Sequence, residues 1–509
     1  MQARSQWGTR LGFLLAAMGS AIGLGNIWRF PAVAYENGGG AFFIPYLFAL
    51  LTAGIPLLIM EFTIGHKYRG SAPRSLSKVS KGFEWIGWWQ VLIAFVISTY
   101  YSVIIAWAVM YAYFSFGQQW GDDTGGFLTG SFLNMVDPGE FGSIVPMIFI
   151  PLAVIWIIVL GTLIRGVKRG IEVANKIFIP TLAVLFLIIV IRAVTLDGAM
   201  DGLNAFFQPN WEQIMNGQVW VAAYGQIFFS LSIGFAIMIT YSSYLKKKSD
   251  ITNNAFITGF ANSSFELLAG IGVFAALGFM AFATGQNITD EGFVQGGVML
   301  AFAVFPEIIN QMPFLPGLFG FLFFASLVLA GLSSLISISE TYVAAVAEKF
   351  NITRTKSVLF GGGLAAVISI AYATQGGLVL LDTVDRFINN YGVAMAGLVE
   401  VVAIAWFAKG LKDLQSHADS VSDIALGLWW RISLGIITPL VLGYMMIQNL
   451  RQEIATPYEG YPLDFLFNFG WLVAIGAIMV GALFATKQWP NQQLTSSAKT
   501  EDDDEEVAN

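Results

Sequence analysis

Long apolar segments alternate with short polar links along almost the whole chain. Most of these segments hold about twenty residues or more, the length that an α-helix needs to cross a bilayer. The pattern predicts an all-α integral membrane protein with twelve transmembrane helices. Their expected ranges are 11–35, 41–65, 86–116, 144–164, 171–193, 218–245, 255–283, 314–347, 357–374, 378–408, 424–449 and 463–486.

Composition agrees with this pattern and removes several kinds of chemistry. Of the 509 residues, 56% are hydrophobic and 12% are charged. The chain has no cysteine, which excludes disulfides and thiolate chemistry. Its two histidines, His66 and His417, fall in polar links, so we expect no histidine metal site. The net charge of −7 gives no reason to expect nucleic-acid binding.

Lysine and arginine are concentrated in alternate links. The links at 117–143 and 284–313 contain neither residue. Because cytoplasmic loops carry the excess of Lys and Arg, both termini are expected in the cytoplasm of a multi-pass protein of the cell (inner) membrane. The basic links are 66–84, 165–176, 246–248, 349–356 and 409–412.

Two of the predicted helices contain residues that weaken a helix. Residues 19–31, GSAIGLGNIWRFP, place three glycines, an asparagine, an arginine and a proline in span 1. Span 6 carries Ser230, Ser232 and Gly234 between apolar flanks. Close helix packing is one reason for such glycines. The other is irregular backbone lining a binding site, and paired weak helices in equivalent positions of two halves point to a transporter's midplane site.

Several motifs in a fixed order carry a family resemblance. They are GSAIGLGNIWRFP and ENGGGAFFIPY early in the chain, GQIFFSLSIGF in span 6, ANSSFE in span 7, AGLSS in span 8 and LLDTVD in span 10. The chain resembles the neurotransmitter:sodium symporter family, particularly its bacterial amino-acid transporters with the leucine-transporter fold. The resemblance implies sodium-coupled uptake by alternating access on a five-plus-five inverted repeat with interrupted helices 1 and 6. The implied divisions are a cytoplasmic segment 1–10, repeats 11–193 and 218–408, helices 11 and 12 in 424–486, and a disordered acidic cytoplasmic tail 487–509.

The resemblance also implies two sodium sites built from oxygen ligands. The first comprises the Ala21 carbonyl and the side chains of Asn26, Ser230 and Asn262. All these ligands are neutral, so a substrate carboxylate that completed the shell would remove an expensive buried charge. The second comprises the carbonyls of Gly19, Ile22 and Ala330 with the hydroxyls of Ser333 and Ser334.

The substrate carboxylate should meet the exposed N–H groups of a half-helix that begins near Gly23, together with the Tyr101 hydroxyl. Monoamine-carrying relatives have aspartate at the position of Gly23. Its absence favours a substrate that brings its own carboxylate, and the small or apolar surroundings favour a neutral hydrophobic amino acid, aliphatic or aromatic. The expected substrate contacts are Ala21, Gly23, Gly25, Ile97, Tyr101, Phe229, Ser230, Ser232, Phe235, Ser334 and Ile338.

Charged residues at membrane depth are functional hypotheses by default. The resemblance implies an outer gate in which Arg29 pairs with Asp385, directly or through water, above the hydrophobic lid Phe235. The implied inner gate comprises Arg4, Trp7 and Glu348, the last replacing the family's usual aspartate. For Glu61, Glu340 and Glu400, structural hydrogen bonding and a transport role both stay open.

Glu266 stands where chloride-dependent relatives have serine. Those relatives bind chloride among residues that match Tyr46, Gln226 and Ser230. A fixed carboxylate would supply the anion, so we expect transport without chloride.

Gly170 and Pro180 match a Gly-x9-Pro pattern with which the family unwinds the inner end of span 5. Proline removes one ladder hydrogen bond and glycine lowers helix propensity. A static kink is the alternative.

The resulting hypothesis is a sodium-coupled symporter that imports a neutral hydrophobic L-amino acid, as a monomer or weak homodimer in the lipid bilayer, and is not an enzyme. One alternative is a transporter of another small solute, such as a betaine or an amine. The other is a non-transporting amino-acid sensor on the same scaffold.

Overall fold

Membrane-length helices form almost all of the fold. The structure is a computed structural model and describes residues 5–290, 292–294 and 296–490. Arg4 and most of the predicted acidic tail therefore lie outside the described residues. Ten continuous helices in the described part are long and apolar enough to span a membrane, and the bent pair Arg10–Ala21 and Leu24–Glu36 adds an eleventh span. The broken helix formed by Gly217–Ser230 and Ile237–Ser242 takes the position of the remaining predicted span, span 6. The continuous spans are Gly40–Tyr68 (span 2), Lys81–Gly117 (3), Pro146–Ile164 (4), Val167–Val194 (5), Ile251–Thr284 (7), Pro316–Phe350 (8), Arg354–Ala373 (9), Gly377–Phe407 (10), Leu428–Gly460 (11) and Leu463–Thr486 (12).

The spans differ in how much of each is covered by protein. The most apolar stretch of span 3 is 78% buried and that of span 8 is 72% buried, whereas span 12 is 22% buried. Spans 3 and 8 also pack against each other most extensively. The inner layer of the bundle is therefore centred on these two helices.

Short helices occupy several links that hydropathy alone treats as connections. Each is too short to cross a bilayer, so the twenty-residue criterion does not detect it. These helices are Ala72–Val79, Ala199–Phe207, Gly297–Gln311 and Leu411–Val421.

Span 1 is interrupted where the glycines predict. Its first half, Arg10–Ala21, ends at Ile22, and its second half, Leu24–Glu36, begins after Gly23. Ile22 and Gly23 both have extended backbone, and the two halves diverge by 56°. Gly19 serves close packing as well, because a Cβ there would lie 2.4 Å from the Asn175 side chain. Close packing therefore accounts for Gly19, whereas the helix is interrupted at Gly23.

Span 6 is interrupted between Gly217–Ser230 and Ile237–Ser242. Within the break, Ser232, Gly234 and Ala236 have positive φ angles of 54°, 80° and 61°. Only glycine adopts this conformation freely, and a side chain there costs on the order of 1 kcal/mol. Contacts from other spans must therefore hold the break open.

Candidate functional site

A cavity of about 340 Å³ lies between the two helix breaks. Its walls come from spans 1, 3, 6, 8, 10 and 11, with the link helix Gly297–Gln311 at one side. All eleven residues predicted to surround the substrate line this cavity. Positions spread over more than three hundred residues therefore lie around one contiguous cavity, and their role as substrate contacts stays a prediction.

The second half of span 1 begins at the wall of this cavity. The Leu24 N–H donates to the Tyr101 hydroxyl oxygen at 3.3 Å. A Cβ on Gly23 would lie 3.1 Å from that oxygen and 3.2 Å from the Ser334 hydroxyl. The start of a helix carries partial positive charge and unpaired N–H groups, which favour an anion. The cavity thus has one end suited to a carboxylate.

The side chains predicted for the first sodium site form one hydrogen-bonded chain. Asn26 accepts from the Gly23 N–H at 2.9 Å and donates to the Asn262 side-chain oxygen at 2.9 Å. Asn262 donates in turn to the Ser230 hydroxyl at 3.1 Å. All three side chains are buried and uncharged. These side chains offer oxygen ligands that carry no negative charge. A sodium ion bound by them would be stabilised further by an anionic ligand.

The oxygens predicted for the second sodium site also converge. The Ser333 hydroxyl lies 2.9 Å from the carbonyls of both Gly19 and Ala330, and the Ser334 hydroxyl lies 3.2 Å from the Gly19 carbonyl. Ile22 follows at the end of the half-helix, where the backbone leaves the helical ladder. Carbonyls at a helix C-terminus carry partial negative charge, which suits a cation.

Arg29 and Asp385, the predicted outer gate, line the same cavity. The described residues show no direct ion pair between them. The Arg29 guanidinium lies over the Phe229 ring, 4.5 Å from its centroid. Asp385 accepts instead from the Tyr100 hydroxyl at 2.7 Å and the Asn389 amide at 2.8 Å. Arg29 and Asp385 thus do not contact each other directly in this structure. A contact through water, or one that forms when the cavity closes, stays a prediction.

Trp7 of the predicted inner gate is buried and attached to the end of span 6. Its indole N–H donates to the Tyr241 carbonyl at 2.8 Å. Glu348 accepts from the backbone N–H and the hydroxyl of Ser71 at 3.0 and 2.8 Å. The pairing of Glu348 with Arg4 cannot be followed, since Arg4 falls outside the described residues.

Glu266 lies in the predicted cluster. It is fully buried and accepts from the Tyr46 hydroxyl and, at 2.7 Å, from the Gln226 amide. Ser230 approaches the same carboxyl group and also belongs to the chain of the first sodium site. A buried carboxyl group therefore adjoins the neutral side chains predicted for the first sodium site.

Span 5 is irregular near its start, in the turn Val167–Ile171, and Pro180 lies within the helix that follows. A Cβ on Gly170 would lie 2.0 Å from the Thr162 carbonyl oxygen. Close packing against span 4 thus accounts for Gly170 by itself, and unwinding stays a prediction.

The two histidines lie against each other, with His66 Nδ1 2.9 Å from His417 Nε2. Burial lowers the pKa of His417, and the nearby Lys67 and Arg69 lower it further. Among the described residues no group of three or more His, Cys, Asp or Glu side chains is arranged to hold a metal ion.

Sequence reasoning missed several residues of the site. The Ser20 carbonyl accepts from the Ser232 hydroxyl at 3.0 Å and so links the two breaks. Tyr100 and Asn389 hold Asp385. The Ser20 carbonyl could not be predicted, because every residue has a backbone carbonyl. Asn389 could have been predicted, because a side-chain amide is unusual inside an apolar span.

Twelve apolar spans, two of them interrupted beside one central cavity, define a secondary transporter. Comparison with known proteins identifies the class further: the chain belongs to the sodium:neurotransmitter symporter family, whose model matches residues 4–134 and 122–492.

The relatives are sodium-dependent transporters rather than enzymes. An uncharacterized sodium-dependent transporter of Methanocaldococcus jannaschii is 41% identical over 94% of this chain and 97% of its own length. The sodium-dependent dopamine transporter of Caenorhabditis elegans is 30% identical over 90% of this chain and 82% of its own. The crystal structure of MhsT in complex with L-phenylalanine matches with a TM-score of 0.75 and 33% identity, over 88% of this chain and 100% of that one. The protein is accordingly a multi-pass membrane transporter with the leucine-transporter fold.

Proposed function

We propose that this protein is a sodium-coupled symporter that imports a neutral hydrophobic L-amino acid by alternating access. The observation that carries the proposal is the start of the second half of span 1. There the Leu24 N–H and the Tyr101 hydroxyl meet at the cavity wall, and Gly23 contributes no side chain. A substrate carboxylate gains partners at this point, whereas an amine would find no acidic group at Gly23.

Coupling follows from the neutrality of the first sodium site. The Ala21 carbonyl and the side chains of Asn26, Ser230 and Asn262 would surround the ion with oxygen ligands that carry no charge of their own. A carboxylate bound at Leu24 would add a charged ligand to this shell, so ion and substrate stabilise each other. A second ion would bind at the end of the first half-helix, with oxygens of Gly19, Ile22, Ala330, Ser333 and Ser334.

Apolar side chains of the same cavity select the substrate side chain. Ile97, Phe229, Phe235 and Ile338 line it and offer no charge. An aliphatic or aromatic amino acid fits these walls best. The presence of L-phenylalanine in the solved relative supports this class, and the dopamine-transporting relative lends weight to the amine alternative.

The Glu266 cluster supports transport without chloride. Its carboxylate occupies the position between Tyr46, Gln226 and Ser230, where a mobile anion would otherwise be needed.

In the proposed orientation both termini lie on the cytoplasmic side of the inner membrane. During the cycle the repeats 11–193 and 218–408 move relative to each other. Closure above the substrate brings Arg29 and Asp385 together over Phe235. Opening on the other side releases Trp7 from span 6 and unwinds span 5. Two sodium ions with a zwitterion gain about 4.6 kcal/mol at 100 mV, which suffices to concentrate a scarce nutrient. A monomer suffices for this cycle, and a weak homodimer is compatible with it.

A proteoliposome uptake screen of the twenty amino acids, with and without an inward sodium gradient, tests the proposal. We expect accumulation of one or more hydrophobic amino acids that depends on sodium and persists without chloride. Sodium-stimulated uptake of an amine or a betaine alone would favour the other-solute alternative. Binding without uptake would favour a sensor.

A further inference from the structure

A short turn beside the predicted outer gate leads from the helix of span 11 to span 12. The helix ends at Ala455 and the next one begins at Leu463, so the turn comprises residues 456–462. A proline near each end of the turn fixes the backbone there. Between the prolines, Glu459 and Gly460 have positive φ angles of 50° and 66°. Because Glu459 is not a glycine, contacts elsewhere must compensate the strain of this reversal.

Two tyrosines of the turn bind one carboxylate of span 10. The Tyr458 hydroxyl donates to Asp382 Oδ1 at 2.9 Å, and the Tyr461 hydroxyl donates to Asp382 Oδ2 at 3.3 Å. The two rings also meet edge to face, with 6.1 Å between their centroids. Hydrogen bonds to an ionised acceptor are stronger than those between neutral groups. The turn is therefore fastened to span 10.

Arg386 adds a third attachment, four residues after Asp382 on the same helix. Its guanidinium lies over the Tyr458 ring, 5.1 Å from the centroid, a position in which a cation is attracted to the ring. The same guanidinium lies 3.5 Å from the Glu453 carboxylate of span 11. Span 10 and the end of span 11 thus hold the turn together.

The fastened turn forms part of the central cavity. Tyr458 and Asp382 both line it, together with Arg29 and Asp385 of the predicted outer gate. Asp382 and Asp385 lie three residues apart on the helix Gly377–Phe387, which is about one helical turn. A movement of this helix toward Arg29 therefore carries the turn with it.

We propose that the turn 456–462 is a lid over the outer end of the cavity and that Asp382 is the residue that positions it. While the two tyrosine hydroxyls bind Asp382, the Tyr458 ring narrows the entrance. When these bonds break, the turn moves away from span 10 and the entrance widens. The lid is fastened although Arg29 and Asp385 are apart, so it acts separately from that pair. The inference rests on the proposed function in one respect, namely that a solute enters this cavity from outside.

The absence of cysteine from the chain allows one introduced thiol to report on the entrance. Ile104→Cys places this thiol in the cavity wall on span 3. A membrane-impermeant methanethiosulfonate reagent is added to intact cells that express the full chain, so that it approaches from the outer face. The rate of thiol modification then measures the population of the open lid.

On this background we expect Tyr458→Phe to be modified at least about 10-fold faster than the parent. The variant keeps the ring and loses a hydrogen bond to a charged group, which changes an equilibrium by a factor of about 10 to 150. Tyr461→Phe should produce a smaller increase, since its bond is longer. Asp382→Ala should be at least as fast as Tyr458→Phe, and the two changes combined should be no faster than Asp382→Ala alone. The matched control is Tyr444→Phe, whose exposed hydroxyl on span 11 accepts from Gln448 at 2.8 Å, and it should match the parent.

A second reporter separates opening of the lid from a change in the whole transporter. Ser337 is fully buried and accepts from the hydroxyl of Tyr241, the residue whose carbonyl binds Trp7 of the predicted inner gate. In inverted vesicles the thiol of Ser337→Cys should be modified at the same rate with and without Tyr458→Phe.

Three results would overturn the proposal. One is modification at position 104 within about twofold of the parent rate in both Tyr458→Phe and Asp382→Ala. The second is an equally large increase in the Tyr444→Phe control. The third is a changed rate at position 337, which would show that Tyr458 sets the balance between outward and inward states. No solute is added, so these results can be read even where the uptake screen identifies no transported amino acid.

Discussion

Removal of the Tyr101 hydroxyl is the sharpest perturbation of the proposed carboxylate site. Tyr101→Phe keeps the ring in the cavity wall and deletes one oxygen, which now accepts from the Leu24 N–H at 3.3 Å. That bond is long, so its loss should cost the unliganded protein little. In the complex the hydroxyl would donate to the substrate carboxylate, and a hydrogen bond to a charged group contributes about 1.5–3 kcal/mol. The expected loss of substrate affinity is therefore about 10- to 150-fold.

Equilibrium binding of the transported amino acid to purified protein in saturating sodium measures this effect. Tyr111→Phe is the matched control, because its hydroxyl is buried in the same span without a hydrogen-bond partner among the described residues. We expect the control to bind as the parent does. An analogue without the carboxylate should bind both variants equally weakly. Affinity of Tyr101→Phe within about twofold of the parent would refute the assignment.

Three further predictions concern other parts of the chain. Glu266→Ser should make uptake depend on chloride while Glu266→Gln should not, and equal uptake by the serine variant in chloride-free buffer would contradict the anion role. Pro180→Ala should slow sodium release on the cytoplasmic side in single-turnover measurements, and an unchanged rate would favour a static kink. Glu84→Gln should lower the free energy of unfolding in detergent by about 3–5 kcal/mol, because the Lys349 ammonium, which is 0% exposed, would lose its ion-pair partner. An unchanged unfolding midpoint would show that this charge finds another partner.

Hydropathy and helix breakers were sufficient to predict the membrane spans and the interruption of span 1, because membrane burial makes both signals strong, whereas the leucine-transporter fold followed from the family resemblance. The prediction that span 1 unwinds rested on closely spaced glycines, and the break lies at Ile22 and Gly23. The family resemblance then assigned the site residues, and the structure brings Asn26 and Asn262 within one hydrogen bond although 236 residues separate them. Their roles as sodium ligands stay proposals.

Contacts between residues that are far apart in the sequence could not be predicted from sequence patterns. The Glu61 bond to Gly234 joins a side chain to a backbone N–H that is free only because span 6 is broken. The predicted start of the disordered tail at 487 is wrong for its first residues, because the indole of Trp489 donates to Glu84 at 2.9 Å and so attaches this segment to span 3. Asp385 was assigned to Arg29 by motif, yet its present partners are neutral donors of spans 3 and 10.

Coupling between sodium and the substrate carboxylate is the central claim, and equilibrium binding of both ligands tests it most directly. The affinity of the purified protein for its amino acid should rise with sodium, and its affinity for sodium should rise with the amino acid by the same factor. The corresponding amino alcohol, which lacks the carboxylate, should produce neither change. Amino-acid binding that is independent of sodium, or an amino alcohol that couples as strongly, would contradict the account.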